Sequence, residues 1–423
     1  MGTEIIKLEN KSLFVWQDFL KSEEYLVATY YVETAANPEF TAIAIAMEQS
    51  ATTTQLAGFK SFNLSPYTAR VVSVKVTGEV KDMILPPYRL NTGVYRGNYK
   101  KSGYYSANIK IAFPVINFGS SLTNLWNGVG GELYRIGFIN TAKILDIKFP
   151  ESYLINLKGP LFGVQGIREK FKIKDRPILV RSTRPAVGLG IEEMAEINYR
   201  VLKGGFDGVK DDELTVDNSI APFKKRVNKM VDIIKRVEDE TGEKKFYLAN
   251  IIDDPLKTLK LARIAAKAGV DSLMVAPAIQ GLRIAQDISM ITGLPVLSHN
   301  SWMDFLTRPP KFGVNESLMI KIQRLCGADM VILPGNFATE FAHQDQEENC
   351  ILACKFGLDN ILPTLPVLAG GKSSEHFKKY CEKVGSPDFM LIVATAVDTH
   401  PSGIEAGAKA FREAWKLIKN KQH

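Results

Sequence analysis

After Pro150 the chain settles into a rhythm: short apolar runs alternate with helix-compatible stretches, eight times over. The runs are 177–184, 205–211, 245–251, 272–276, 295–299, 329–334, 364–369 and 389–394. Stretches such as Ile191–Lys203, Ala221–Thr241 and Pro255–Ala268 separate them, and the amphipathic stretch Ile404–Ile418 closes the series. Strand–helix alternation implies parallel strands joined by crossovers. Eight such units fit a (β/α)8 TIM barrel, with a doubly wound sheet as the alternative.

The barrel leaves the first part of the chain to be explained. A length of 423 residues exceeds what one core usually serves, so two domains are expected, residues 1–150 and 151–423. Glu24–Glu33, EYLVATYYVE, reads as a strand because aromatic and β-branched residues alternate in it. A helix is expected over Pro38–Gln49, strands at Ala69–Val76 and Ser106–Pro114, a helix at Leu122–Tyr134 and a strand at Ala142–Phe149. Together these predict a smaller α+β ferredoxin-like sandwich with its helices on one face. Val94–Ser106, which contains YRGNYKKSGYY, reads as a loop.

Composition limits the partners. With 45% hydrophobic and 23% charged residues, and a mean hydropathy of −0.05, the chain reads as an ordinary globular protein. No apolar run reaches membrane-spanning length, and the start has neither a signal-peptide pattern nor, with Ile6, the residue a myristoylation motif needs. A cytoplasmic protein is expected. The net charge of +7 is scattered and interleaved with acids, which suits an acidic or phosphorylated small molecule and not nucleic acid or a membrane. Four cysteines, Cys326, Cys350, Cys354 and Cys381, have neither disulfide nor zinc spacing.

In a barrel of this kind chemistry sits at the C-terminal ends of the strands. The second run ends there in Gly204-Gly205-Phe206-Asp207-Gly208-Val209-Lys210-Asp211-Asp212-Glu213. Strand alternation puts Lys210 and Asp212 on one face, and Glu213 joins them if the chain turns just beyond. Magnesium wants oxygen ligands, which a lysine does not supply. Lysine that has taken up carbon dioxide as a carbamate does, and the three residues would then offer oxygens around one point. The other reading is a solvated charge run complementing the dipole of the next helix.

GGFDGVKDDE resembles the metal-site signature of the ribulose-1,5-bisphosphate carboxylase/oxygenase (RuBisCO) large-subunit superfamily. The resemblance runs from Glu48-Gln49-Ser50 to Thr399-His400-Pro401-Ser402-Gly403. It implies a carbamylated Lys210 that binds magnesium with Asp212 and Glu213. It also implies a homodimer, because Glu48 matches an acid that family members insert into the neighbouring subunit's site. Thr53 matches a phosphate-contacting threonine, and His299 an active-site histidine.

Other positions depart from the carboxylase pattern. Arg184 and Ala186 stand where carboxylating members carry two catalytic lysines. An arginine keeps its proton and cannot abstract one, but it can hold a carboxylate or phosphate through two parallel hydrogen bonds, or form a surface ion pair. Asn300 replaces a phosphate-binding arginine, Thr54 a tryptophan and Glu132 a substrate-binding asparagine. The loop Asn336–Asn349 contains no lysine, where carboxylases need one to steady a developing anion. Thr395-Ala396 replaces phosphate-binding glycines.

Further candidates complete the expected site. Gly370 and Gly371 with Lys372 could meet an anion or simply form a turn. Asn250 could orient substrate or a metal-bound water, or satisfy backbone groups. Lys100 or Lys101, with His299 second, is the candidate proton carrier. The function expected is that of a RuBisCO-like enzyme without ribulose bisphosphate carboxylation. It would catalyse magnesium-dependent enolisation, as a tautomerase/isomerase or decarboxylase, of a phosphorylated or acidic keto-sugar derivative, as in sulfur salvage or sugar-acid catabolism. The alternatives are a true ribulose-bisphosphate carboxylase and a non-catalytic regulatory descendant.

Overall fold

The computed structural model describes residues 11–50, 63–81, 104–335, 337, 344–358 and 360–420. The chain divides into two compact units, Met1–Leu157 with Phe305–Met319, and Lys158–Asp304 with Ile320–His423.

In the first unit four strands, Tyr25–Thr34, Arg70–Val80, Tyr104–Pro114 and Ile139–Lys148, form an antiparallel sheet. Tyr25–Thr34 lies between Ile139–Lys148 and Tyr104–Pro114, with Arg70–Val80 beyond the latter. That order, with helices Pro38–Glu48 and Leu122–Gly130 in the crossovers, is the expected ferredoxin-like sandwich. Helix Pro38–Glu48 starts where it does because the Asn37 side chain accepts from the amides of Glu39 and Phe40, ahead of a proline suited to the first turn. The expected helix Leu122–Tyr134 is shorter, because it ends at Gly130 and a separate 3-10 turn spans Leu133–Arg135.

A fifth strand comes from far along the sequence. Gly313–Val314 pairs in parallel with Lys143 and Ile144 of the sheet. Buried polar groups hold this segment: the Lys143 ammonium donates to the carbonyls of Thr307 (2.9 Å) and Pro309 (2.8 Å), and Lys311 lies 2.8 Å from the fully buried Glu33. Breaking such a pair would strand a buried charge, so the contact specifies position more than it adds stability.

The second unit is the barrel. Its eight strands are Ile178–Ser182, Gly208–Lys210, Phe246–Asn250, Ser272–Val275, Val296–Ser298, Met330–Leu333, Leu365–Leu368 and Met390–Val393. They pair in parallel in sequence order, and the last returns to the first to close the ring. Alternate side chains face inward, so Ile178, Val180, Leu248, Met274, Leu297 and Ile332 fill the interior, while Leu179, Val209, Ala249 and Leu273 meet the surrounding helices. Each large apolar side chain removed from water there contributes roughly 2 kcal/mol.

Of the expected run 205–211, only Gly208–Lys210 is strand, because Gly205 turns through a φ of +102° that side-chain-bearing residues avoid. Gly208 faces inward beneath Lys210. The Phe246 ring, stacked on Phe171 with centroids 3.8 Å apart, occupies the place a side chain at 208 would take: an added Cβ would lie 2.4 Å from it. The glycine lets the aromatic floor close, and the lysine is the next inward residue above it.

Candidate functional site

Lys210 ends the second strand with its side chain inside the barrel, 2% exposed. Its ammonium donates to the Asp211 carbonyl at 2.8 Å, lies 3.7 Å from the Met274 sulfur and 3.6 Å from Glu213 Oε2. Burial pulls its pKa below the ordinary lysine value, against the raising influence of Glu213, Asp212 and Asp211. The neutral amine, which is the form that reacts with carbon dioxide, is therefore easier to reach than on a surface lysine.

The three acids separate by direction. Asp211 faces away from Lys210 and is buried, accepting from the Arg226 guanidinium (3.3 Å) and the Asn250 amide (3.1 Å). Asp212 returns to the lysine's side, fully buried. The Leu214 amide then donates to Asp212 Oδ1 at 3.1 Å, and the Thr215 amide to the Asp212 carbonyl at 3.0 Å. That turn brings Glu213 round to join Lys210, as the conditional reading of the sequence required. The helix-capping reading fails, because the following helix begins only at Phe223 and its first amide is met by Asp217.

Asn250 holds the turn from behind. Its amide donates to the carbonyls of Asp212 (3.1 Å), Glu213 (3.1 Å) and Thr215 (3.3 Å), and its oxygen accepts from the Ile252 amide at 2.9 Å. Of the roles expected for it, satisfying backbone groups is the one these contacts fill; its donors are spent on the loop and not on a substrate.

Arg184, half exposed, reaches into the site. Its Nε lies 2.8 Å from Asp212 Oδ2 and its Nη2 3.6 Å from Glu213 Oε1. His299 approaches Glu213 from the fifth strand, with Nε2 3.3 Å from Oε2. The Ser301 amide donates to His299 Nδ1 at 3.1 Å, which leaves the ring proton on Nε2 to face Glu213. Burial lowers the His299 pKa, against the raising pull of its Glu213 hydrogen bond. For Glu213, burial works upward, and the His299 hydrogen bond with the charge of Lys210 prevails, so the carboxyl is held well below its usual range. Both ring nitrogens of His299 are thus engaged, and its first task in this arrangement is to orient Glu213.

Lys372 departs from the anion-contact expectation: it is buried, donating to the carbonyls of Gly370 (3.0 Å) and Gly335 (3.4 Å), with its ammonium over the rings of Phe337 and Tyr380. Gly370 and Gly371 are exposed and both adopt positive φ, so turn geometry by itself accounts for them. Asn300 follows His299 half-buried. In the first unit, Glu48 ends its helix half-buried, fixed by its neighbour Gln49, whose side chain donates to the Val129 carbonyl and accepts from the Glu132 amide. Thr53, Lys100 and Lys101 lie outside the described residues, as do Asn336 and 338–343 of the sixth-strand loop.

One residue escaped the sequence reading. Arg181, fully buried in the first strand, makes a two-pronged ion pair with Asp398 (2.8 and 3.0 Å) and donates to the Arg184 carbonyl at 2.9 Å. It fixes the backbone from which Arg184 reaches the carboxylates. An arginine inside the otherwise apolar ILVRS was the available signal.

These residues can be tested against a metal. Among the described residues, no three His, Cys, Asp or Glu side chains group as a metal cage. Asp212 and Glu213 alone fall short of the oxygen donors a divalent cation wants, and a carbamate on the adjacent buried Lys210 would supply what is missing. The donor chemistry fits magnesium with the modified lysine.

The family model for the ribulose bisphosphate carboxylase large chain, catalytic domain, matches residues 163–423. The chain is 31% identical over 409 residues to the ribulose bisphosphate carboxylase-like protein of Chlorobaculum tepidum, covering 96% of this chain and 92% of that protein. It is 33% identical over 312 residues to the ribulose bisphosphate carboxylase of Pyrococcus abyssi, covering 72% and 73%. Among solved structures, the octameric RuBisCO from Pyrococcus horikoshii superposes with a TM-score of 0.85 at 28% identity, over 96% of this chain and 91% of that one. With the GGFDGVKDDE site folded at a barrel mouth, these likenesses settle the kinship: the chain belongs to the ribulose bisphosphate carboxylase large-chain family, as a RuBisCO-like protein.

Proposed function

We propose that this protein is a magnesium-dependent enolising enzyme, a tautomerase/isomerase or decarboxylase. Its substrate would be a phosphorylated or acidic keto-sugar derivative, and it would not carboxylate ribulose bisphosphate. The observation that carries the reading is the convergence of buried Lys210 and Asp212 with the half-buried Glu213 at the end of one barrel strand. Lys210 as its carbamate, Asp212 and Glu213 would hold the cation. When bound, magnesium supplies a Lewis acid that polarises a substrate carbonyl and acidifies the neighbouring C–H.

The chain's own residues divide the rest of the work. His299 and the Asn250-braced turn orient Glu213. Arg184 binds an anionic end of the substrate, since a guanidinium keeps its charge and cannot serve as base. Proton transfer falls to Lys100 or Lys101, with His299 second. Two departures argue against carboxylation: Arg184 stands where carboxylases have a lysine, and Asn336–Asn349 has none at all. The likeness to carboxylases and to carboxylase-like relatives is of similar strength, so these residues, and not overall identity, favour the reading.

The working unit is proposed to be a homodimer in which Glu48 completes the partner's site. Mixing inactive Glu48→Gln and inactive Lys210→Ala proteins should restore activity as hybrids form; exchange without restored activity would show that each chain is complete alone. For the chemistry, phosphorylated and carboxylated ketoses are screened in deuterated water. Magnesium-dependent entry of deuterium beside the carbonyl, or magnesium-dependent release of carbon dioxide, is expected and should vanish in Lys210→Met. Incorporation of labelled bicarbonate into ribulose bisphosphate would overturn the reading.

A further inference from the structure

Every carboxylate oxygen of the candidate metal ligands faces a protein donor. Asp212 Oδ1 accepts from the Leu214 amide (3.1 Å), and Oδ2 meets Arg184 Nε (2.8 Å) and the Ser182 hydroxyl (3.4 Å). Glu213 Oε1 faces Arg184 Nη2 (3.6 Å), and Oε2 faces Lys210 (3.6 Å) and His299 (3.3 Å). Two of these donors are full cations. Carbamylation would remove one, by turning the Lys210 ammonium into an anion. Nothing comparable happens to Arg184, whose guanidinium stays charged.

Arg184 is also the member of this group free to leave. Its side chain is 49% exposed, against 0% for Asp212 and 2% for Lys210. Its backbone is fixed, because the buried Arg181 donates to its carbonyl at 2.9 Å while bound to Asp398 and Asn198. Movement is therefore confined to the side chain, which can swing from the carboxylates toward solvent without disturbing the strand.

We propose that Arg184 is a built-in competitor for the metal ligands, and that its displacement hands the substrate its anion anchor. With Arg184 on Asp212 and Glu213, the ligands are neutralised and the guanidinium is unavailable. With a divalent cation on those carboxylates, like charges drive Arg184 outward, where its parallel N–H groups suit a phosphate or carboxylate. Cation and anion then bind cooperatively, and by linkage each raises the other's affinity equally. This rests on the proposed metal site, and it adds a coupling between the cation and the anionic end of the substrate.

Calorimetric titration of magnesium in bicarbonate buffer, with and without inorganic sulfate at matched ionic strength, tests it on wild type and Arg184→Gln. The variant should bind magnesium about tenfold more tightly than wild type. Sulfate should tighten magnesium binding about fivefold in wild type and leave the variant unchanged. Equal or weaker magnesium binding in the variant, or the same sulfate effect in both proteins, overturns the proposal while leaving the metal site standing. Absence of magnesium binding in both proteins overturns this inference and the metal site together. Retained thermal unfolding of the variant, expected for a half-exposed side chain, separates these outcomes from misfolding.

Discussion

Lys210 and Lys372 are both buried in the barrel unit, 2% and 3% exposed, and burial lowers the pKa of each. They differ in what they face. Lys210 looks across 3.6 Å to Glu213, with Asp212 and Arg184 beside it. Lys372 donates to the carbonyls of Gly335 and Gly370 between two aromatic rings, tying the start of the sixth-strand loop to the seventh. Burial supplies a more reactive amine in either place. A site arises only where the surroundings can use a new anion, and backbone carbonyls cannot.

Substitutions test whether the two lysines differ in kind. The largest effect should be that of Lys210→Met, which removes the amine and should lower magnesium-dependent proton exchange by about a thousandfold. If exchange persists, the two lysines do not differ in kind. Gly208→Ala should cost about 3 kcal/mol in urea denaturation, because the new methyl collides with the buried Phe246 ring beneath Lys210. A loss under 1 kcal/mol would mean that the floor can yield, as the rigid-floor account does not allow.

Asn250→Ala should weaken magnesium binding roughly 10- to 100-fold, read by calorimetry, by freeing the carbonyls of Asp212, Glu213 and Thr215. Unchanged affinity would show that the turn stands without it. The smallest effect concerns Lys372, whose pKa is pushed from 10.5 to about 8, chiefly by burial with Glu347 opposing. Between those values the unfolded chain holds the proton and the folded chain does not, so stability rises with pH through the window and is flat below it. Comparing urea midpoints of wild type and Lys372→Met should show this rise, about 1 kcal/mol per pH unit within the window, in wild type alone. Equal slopes would place the Lys372 ammonium in contact with solvent.

The two lysines also mark what was legible in the sequence. Eight apolar runs sufficed for the barrel, because strand–helix alternation and closure leave few other solutions, and alternation alone separated Asp211 from Lys210 and Asp212. The convergence of Glu213 depended on a turn, and Asp212 supplied it through its own side chain. Lys372, four residues past the seventh strand, and Asn250, at the end of the third, both stand where a ligand contact is expected, and both donate to backbone carbonyls of other loops, Gly335 for the lysine and Asp212, Glu213 and Thr215 for the asparagine. Partners distant in sequence leave no local pattern. The same holds for Arg181, whose partner Asp398 lies across the ring closure, and for Gly313–Val314, two residues whose pairing with the first unit's sheet no periodicity could announce.

Everything proposed for the chemistry passes through one modified side chain. Wild type and Lys210→Arg can be equilibrated with isotope-labelled bicarbonate and magnesium, followed by carbon NMR for a carbamate and calorimetry for the metal. One carbamate per chain, stabilised by magnesium and absent from the variant together with its magnesium binding, is the predicted result. Full magnesium affinity in Lys210→Arg, or a wild-type protein that binds magnesium without any carbamate, would contradict it.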